Sequence, residues 1–272
     1  MTALLSWKSY VVESFKTTPL RNLILLSLLF SALFIRMPTV DIEFSRMFFV
    51  DGQGFAAREV RSLQTLRAIG QYVPTAFAIL VILALILKIV YPRRRCLFPA
   101  RFTLYFASLF LLGPGLLVNG ILKPLWDRPR PINILEFGGQ FTFVDAWSLG
   151  GDILVNRSFV SGETAGVICL LPLALFVRTE WRKSIFALLS VFAVVVSMNR
   201  IAFGGHFLSD VLISAALNGA IAVALWYAIY GPQAQYSEAS LERQLSRLGF
   251  SLRRSLARLP AKLQKAIPNR MV

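Results

Sequence analysis

Apolar runs set the rhythm of this chain. Six segments, about 20–36, 70–90, 102–122, 160–178, 183–199 and 211–230, are apolar over most of their length. A helix crosses a bilayer core of ~30 Å in roughly 20 residues, so the pattern predicts six transmembrane helices. The third segment is the clearest: Phe102 to Leu122 carries no charge. The first and fifth are short, and Arg21, Arg36, Arg178, Arg182 and Arg200 are placed to snorkel at segment ends. A long basic leader precedes the first segment and no small-residue cleavage site follows cleanly, which predicts an uncleaved anchor.

Beyond residue 236 the period changes. Leu241, Leu245, Leu248, Leu252, Leu256, Leu259 and Leu263 recur at steps of three and four, with Arg243, Arg247, Arg253, Arg254, Arg258, Lys262 and Lys265 on the other faces. This predicts a basic amphipathic helix, kinked at Pro260, lying on an anionic inner leaflet. The same leucine spacing also suits a coiled coil or a partner helix. The expected fold is therefore all-α: a six-helix membrane bundle over 1–235 and a basic amphipathic tail over 236–272. No internal repeat is evident.

Composition agrees with a membrane protein. Of the 272 residues 56% are hydrophobic and 16% charged, too little polar surface for a soluble monomer. The net charge of +15 would point a soluble protein toward nucleic acid, but here its distribution explains it. Six spans put both termini on one side. That side holds 19 of the 29 Lys and Arg and four of the 14 acids; the other side is balanced. The positive-inside rule makes the basic side cytoplasmic, so no nucleic-acid partner is needed. Cys96 and Cys169 sit in unlike settings and do not predict a disulfide. One histidine, His206, rules out a multi-histidine metal site within one chain.

Three polar clusters stand at the outer ends of spans where a membrane helix has no need of them. They are Lys123 to Pro131, Ser158 to Glu163, and Asn199 to Asp210. Lys123, Arg130 and Arg200 offer three fixed cations, a cage for phosphate. Ser161 and Gly162 stand where a helix begins, with backbone N–H groups to spare. His206 and Asp210 are four apart, so on a helix Asp210 can orient the imidazole. An oriented neutral imidazole facing a caged phosphorus is a nucleophile. The reading is metal-free, cofactor-free phosphoryl transfer through a phosphohistidine.

These clusters resemble those of the type 2 phosphatidic acid phosphatase superfamily, which shares its core with the vanadium haloperoxidases. The family pattern is Lys-x6-Arg-Pro, then Pro-Ser-Gly-His, then Ser-Arg-x5-His-x3-Asp. The chain has Lys123-x6-Arg130-Pro131, Val160-Ser161-Gly162-Glu163, and Asn199-Arg200-x5-His206-x3-Asp210. The resemblance covers about 100–230. It implies His206 as nucleophile, Asp210 as its orienting partner, and Lys123, Arg130, Arg200, Ser161 and Gly162 as the phosphate site. Val160 and Asn199 are departures the chemistry tolerates. Glu163 is a larger one: it stands where the family has its general-acid histidine, and a glutamate serves there only when protonated at the working pH. Alternatively the leaving group needs little acid help, as with an anomeric sugar phosphate or a phosphoanhydride. The Ser-Gly-Glu variant is similar to bacterial branches that include lipid A phosphatases.

The expected activity is a lipid phosphate phosphohydrolase at the outer face of a bacterial cytoplasmic membrane. Lipid A, phosphatidylglycerophosphate and undecaprenyl pyrophosphate are open as substrates, and so is the oligomeric state. A lipid phosphotransferase would use the same intermediate. A transporter or a non-catalytic scaffold is the remoter alternative, since the charges gather at one face and not at the midplane. Arg128, between two prolines, reads as a loop stiffener or a headgroup contact. Residues 132–157, with Phe137, Phe141, Phe143 and Trp147, read equally as a lid or as an aromatic-anchored loop. Phe44, Phe48 and Phe49 suggest an interfacial helix without chemistry.

Overall fold

The computed structural model describes residues 14, 17–149, 157–235 and 237–257. Among these the regular elements are all helical, and the only β-type pairs are the isolated bridges Val50–Gly54 and Ile134–Phe141. The helices are α1 (Pro19–Arg36), α2 (Thr39–Arg46), α3 (Arg61–Val90), α4 (Ala100–Phe110), α5 (Gly162–Ile168), α6 (Arg182–Ala202), α7 (Leu208–Tyr230) and α8 (Glu238–Ala257). α4 runs on through a wide π-helical stretch, Leu111–Leu122, and a last turn, Lys123–Trp126. The cause lies at Pro114, which has no N–H to continue the ladder. The side-chain amide of Asn119 also donates to the Pro114 carbonyl at 2.7 Å.

Among the described residues five apolar helices reach membrane-crossing length: Pro19–Arg36, Arg61–Val90, Ala100–Asn133, Arg182–Ala202 and Leu208–Tyr230. The expected fourth span is shorter. α5 stops at Ile168 and a 3-10 turn, Leu171–Phe176, follows. An α-helix would pair the Ile168 carbonyl with the N–H of residue 172, and that residue is Pro172. Thr164, Ala165, Gly166 and Val167 are all buried, so this segment lies among other helices. A side chain at Gly166 would meet Pro74 of α3 at 3.1 Å.

The chain divides into two compact units. The first comprises residues 1–75 and 109–224. One core cluster there joins Phe34, Val118, Leu122, Phe159, Val160, Ala165 and Ile213. A second joins Phe55, Ile134, Phe137 and Phe207, with Phe48, Phe49 and Phe143 packed on it. Phe48, Phe49, Phe137 and Phe143 are therefore anchors. Trp147 adds another, packing edge-on against Trp126 and Phe159. For the part of the 132–157 loop that is described, the anchored reading holds; 150–156 lie outside the described residues.

The second unit comprises residues 76–108 and 225–272. α8 packs Leu241 and Leu245 against Ala100, with Leu85, Cys96 and Leu104 alongside. Its charges satisfy the unpaired ends of other helices. The Glu238 carboxylate accepts from the N–H groups of Ala100 and Arg101 at the start of α4. Glu242 accepts from the Cys96 N–H at 3.1 Å and lies 3.5 Å from the buried Lys88 ammonium. Arg253 donates at 2.6 Å to the carbonyl of Val90, the last residue of α3. The first half of the leucine stripe is thus spent inside the protein, while Leu248 and Leu252 are exposed. Leu259, Pro260, Lys262, Leu263 and Lys265 lie outside the described residues.

Candidate active site

The three polar clusters of the sequence come together in the first unit, joined by backbone hydrogen bonds. The Ser158 N–H donates to the Arg128 carbonyl at 3.0 Å, joining the second cluster to the first. The Ser161 N–H donates to the Asp210 carbonyl at 3.1 Å, joining it to the third. The Ile132 N–H donates to the Gly204 carbonyl at 3.1 Å and closes the ring. Gly204 has φ +58°, a left-handed turn that glycine adopts without steric cost.

His206 sits in the short connection between α6 and α7 and is 3% exposed. Its Nδ1 lies 2.9 Å from the Ser158 carbonyl oxygen. A carbonyl only accepts, so Nδ1 carries the proton and Nε2 keeps its lone pair. Asp210 Oδ2 stands 3.6 Å from Nδ1, beyond hydrogen-bond length. The expected direct bond is therefore replaced by a relay: the Ser158 hydroxyl donates to Asp210 Oδ2 at 2.6 Å and lies 3.5 Å from His206 Nδ1. The Phe207 N–H donates to the same carboxylate oxygen at 2.9 Å. Burial pushes the imidazole down to about 4, although Asp210 pulls the other way, so the ring is neutral at physiological pH.

The cations converge as the spacing implied. Lys123, Arg130 and Arg200 lie within electrostatic reach of one another and of Glu163. Two glycines make this approach possible. A Cβ at Gly162 would stand 3.0 Å from the Lys123 ammonium, and one at Gly205 would stand 2.5 Å from Arg200 Nη2. Among the described residues the buried Nε of Arg130 has no hydrogen-bond partner, and that of Arg200 has only the Glu163 carboxylate, 3.1 Å away but outside hydrogen-bond geometry. Buried donors of this kind are costly unless an anion completes them.

Ser161 is fully buried and caps α5, accepting from the Thr164 N–H at 3.3 Å and the Thr164 hydroxyl at 2.9 Å. Glu163 in the first turn lies 3.1 Å from Arg200 Nε and 3.9 Å from Arg67 Nε. Asn199, next to Arg200, donates to the Leu63 carbonyl at 3.0 Å and so fixes the first turns of α3, which carries Arg67, against α6. On Arg67 opens a recess of about 400 Å³, lined also by Arg58, Glu59, Gln64 and Phe203. Among the described residues no group of three His, Cys, Asp or Glu gathers as it would around a metal ion.

Sequence reasoning missed four residues here. Ser158 lay inside a noted cluster but had no assigned role. Arg67 lies outside every motif and had no assigned role. Arg128 neither stiffens an exposed loop nor faces a headgroup. It is fully buried and ion-paired with Asp41 at 2.9 Å and Asp210 at 2.8 Å. Asp41 stands on α2, the helix read as free of chemistry. No local pattern announces a partner 87 residues away.

Comparison with known proteins agrees with this architecture. The PAP2 superfamily matches residues 101–233. A lipid A 4'-phosphatase of Rhizobium leguminosarum is 36% identical over 198 residues, 67% of this chain and 84% of that protein. A lipid A 4'-phosphatase of Francisella tularensis subsp. novicida is 29% identical over 182 residues, 66% of this chain and 81% of that protein. The crystal structure of a transmembrane PAP2 type phosphatidylglycerolphosphate phosphatase from Bacillus subtilis superposes with a TM-score of 0.51 at 19% identity, over 80% of this chain and 98% of that one, and shares the fold. Bundle, motif order and relatives agree that this chain belongs to the PAP2 superfamily, as a multi-pass membrane phosphatase.

Proposed function

We propose that the protein removes phosphate from a lipid A-type glycolipid through a phosphohistidine on His206. The carrying observation is the Ser158 carbonyl 2.9 Å from Nδ1, a geometry that leaves Nε2 as the nucleophilic atom beside the cations Lys123, Arg130 and Arg200. Nε2 attacks phosphorus, the bond from phosphorus to the lipid oxygen breaks, and that oxygen takes a proton. The Nδ1 proton stays in place, so the phosphorylated ring is cationic and the Asp210 carboxylate steadies it. Lys123, Arg130 and Arg200, with the N–H of Gly162 at the end of α5, hold the equatorial oxygens; Ser161 shapes that end by capping it. Water then attacks phosphorus, the N–P bond breaks, and His206 recovers its lone pair as inorganic phosphate leaves.

In this reading Glu163 handles both protons. An incoming phosphate competes for Arg200; Glu163, freed of that ion pair, takes up a proton from water and passes it to the leaving lipid oxygen. As the carboxylate it later takes the proton from the attacking water. The sugar phosphate class is supported by the relatives named lipid A 4'-phosphatase and by the Glu163 variant of the motif.

The charge asymmetry supports a bacterial inner-membrane protein with both termini cytoplasmic and the site at the periplasmic face. The test is purified protein assayed on lipid A, phosphatidylglycerophosphate and undecaprenyl pyrophosphate, with products weighed by mass spectrometry. Lipid A short of one phosphate, with free phosphate released, is the expected result. Release only from the other two lipids would overturn the substrate assignment. Alkaline phosphatase fused after residue 149 should be active and after residue 235 inactive; the reverse would put the site inside.

A further inference from the structure

Arg128 is the largest fully buried side chain among the described residues, and its contacts are specific. Nε donates to the Val144 carbonyl at 2.7 Å. Nη1 donates to the Ser209 hydroxyl and to Asp210 Oδ1, both at 2.8 Å. Nη2 donates to Asp41 Oδ2 at 2.9 Å. The guanidinium also lies 4.3 Å from the ring centroid of Phe207 and 5.4 Å from that of Phe143. Asp41 is equally engaged: Oδ1 accepts the Ser209 N–H at 2.9 Å, and Oδ2 accepts the Ser209 hydroxyl at 2.5 Å as well as Arg128. Asp41 and Ser209 together therefore clamp the first turn of α7, the turn that carries Asp210.

We infer that Asp41 and Arg128 are positioning residues for the His206–Asp210 pair, with one guanidinium shared between two carboxylates. The inference rests on the reading of His206 as nucleophile. A buried Arg–Asp210 pair standing alone would be neutral, and the arginine would draw off the charge that the phosphorylated imidazole needs. The second carboxylate restores a net negative charge to the group while the guanidinium holds Asp210 in place. For stability alone this triad is a poor choice, because apolar side chains of the same volume often do as well or better than buried ions. Apolar side chains could neither fix Asp210 nor set its charge. The charged groups facing His206 itself are Asp210, Arg200 and Lys123, so Asp41 and Arg128 act on the ring only through Asp210.

The test uses Asp41→Asn and the double variant Arg128→Met/Asp41→Asn, which removes both outer charges and leaves neither orphaned. Turnover, KM and thermal stability are measured in detergent. The single-turnover rate of labelling His206 from a ³²P-phosphorylated substrate is read after an alkaline detergent quench, which preserves the N–P bond. For Asp41→Asn the expectation is a loss in kcat and labelling rate of roughly 10- to 100-fold with KM nearly unchanged; removing an orienting carboxylate directly costs about 10⁴. Asp41→Glu should recover part of the rate. The double variant should recover stability but not turnover, an outcome that a merely structural triad does not give. Folded Asp41→Asn protein that labels His206 as fast as the parent would overturn the inference and leave the reading of His206 standing. A parent enzyme that takes no label on His206 would overturn the reading beneath it.

Discussion

Gly205→Ala tests whether the glycine in the His206 loop exists to admit Arg200. An alanine Cβ there would stand 2.5 Å from Arg200 Nη2 and 2.9 Å from Cζ. Carbon settles against such atoms at about 3.5 Å, so the guanidinium must retreat by about 1 Å. Arg200 is 3% exposed and has no solvent side to swing into. A displacement of that size breaks or misaligns a charge-assisted hydrogen bond to phosphate, worth about 1.5–3 kcal/mol. At 1.4 kcal/mol per factor of ten, kcat/KM should fall between roughly 10- and 150-fold. The backbone at Gly205, unlike that at Gly204, is not in the left-handed region, so alanine adds no conformational strain. Initial rates on lipid substrate in mixed micelles give the number, and a thermal melt shows whether the fold survives. The decisive comparison is made in an Arg200→Ala background, where Gly205→Ala should cost almost nothing more. A well-folded Gly205→Ala enzyme within threefold of the parent, or an equal loss with and without Arg200, would refute the argument.

Other outcomes follow from the same geometry. With a single histidine in the chain, ¹⁵N-histidine labelling gives one ring signal. Its midpoint should lie near 4, far below the 6.5 of a free imidazole, and a midpoint above 6 would contradict the buried neutral ring. Because the unfolded chain binds that proton first, stability should decline as pH falls from about 6.5 toward 4 and be independent of this group above that window. Glu163→Gln should slow a lipid phosphate by roughly 10²–10⁴-fold and an activated aryl phosphate far less; equal losses on both would remove the acid role. Glu242→Ala leaves the buried Lys88 ammonium with backbone carbonyls only, and should cost roughly 1–2 kcal/mol, seen as a lower melting temperature.

Much of this was legible in the sequence because two of its signals are local. Hydropathy over twenty residues located five of the helices, since crossing a membrane is a property of one segment. The spacings Lys123-x6-Arg130 and His206-x3-Asp210 named residues that the fold brings near one another, although Arg130 and His206 stand in connections just outside the helices. The fourth segment is shorter than a full α-helical span for a reason just as local: Pro172 forbids the hydrogen bond that would carry α5 past Ile168. What could not be read were pairings between distant segments. Arg128 has the composition of a surface residue, and Asp41 sits in a helix whose phenylalanines suggested a lipid interface. Only the folded chain shows that both belong to the interior. In the same way Asn199, which looked like a tolerated departure from the family pattern, anchors α3 through the Leu63 carbonyl and brings Arg67 to Glu163.

The buried Arg128 bears on how far this protein can be cut and recombined. The superfamily stretch begins at residue 101, yet the carboxylate that completes Arg128 comes from residue 41. A chimera that grafted only the motif-bearing stretch onto another protein's leading helices would inherit a guanidinium without its second anion. In lineages that exchange such segments, position 41 and position 128 would have to travel together or be lost together. The phosphatase signature is thus shorter than the smallest piece of chain able to transmit a working site.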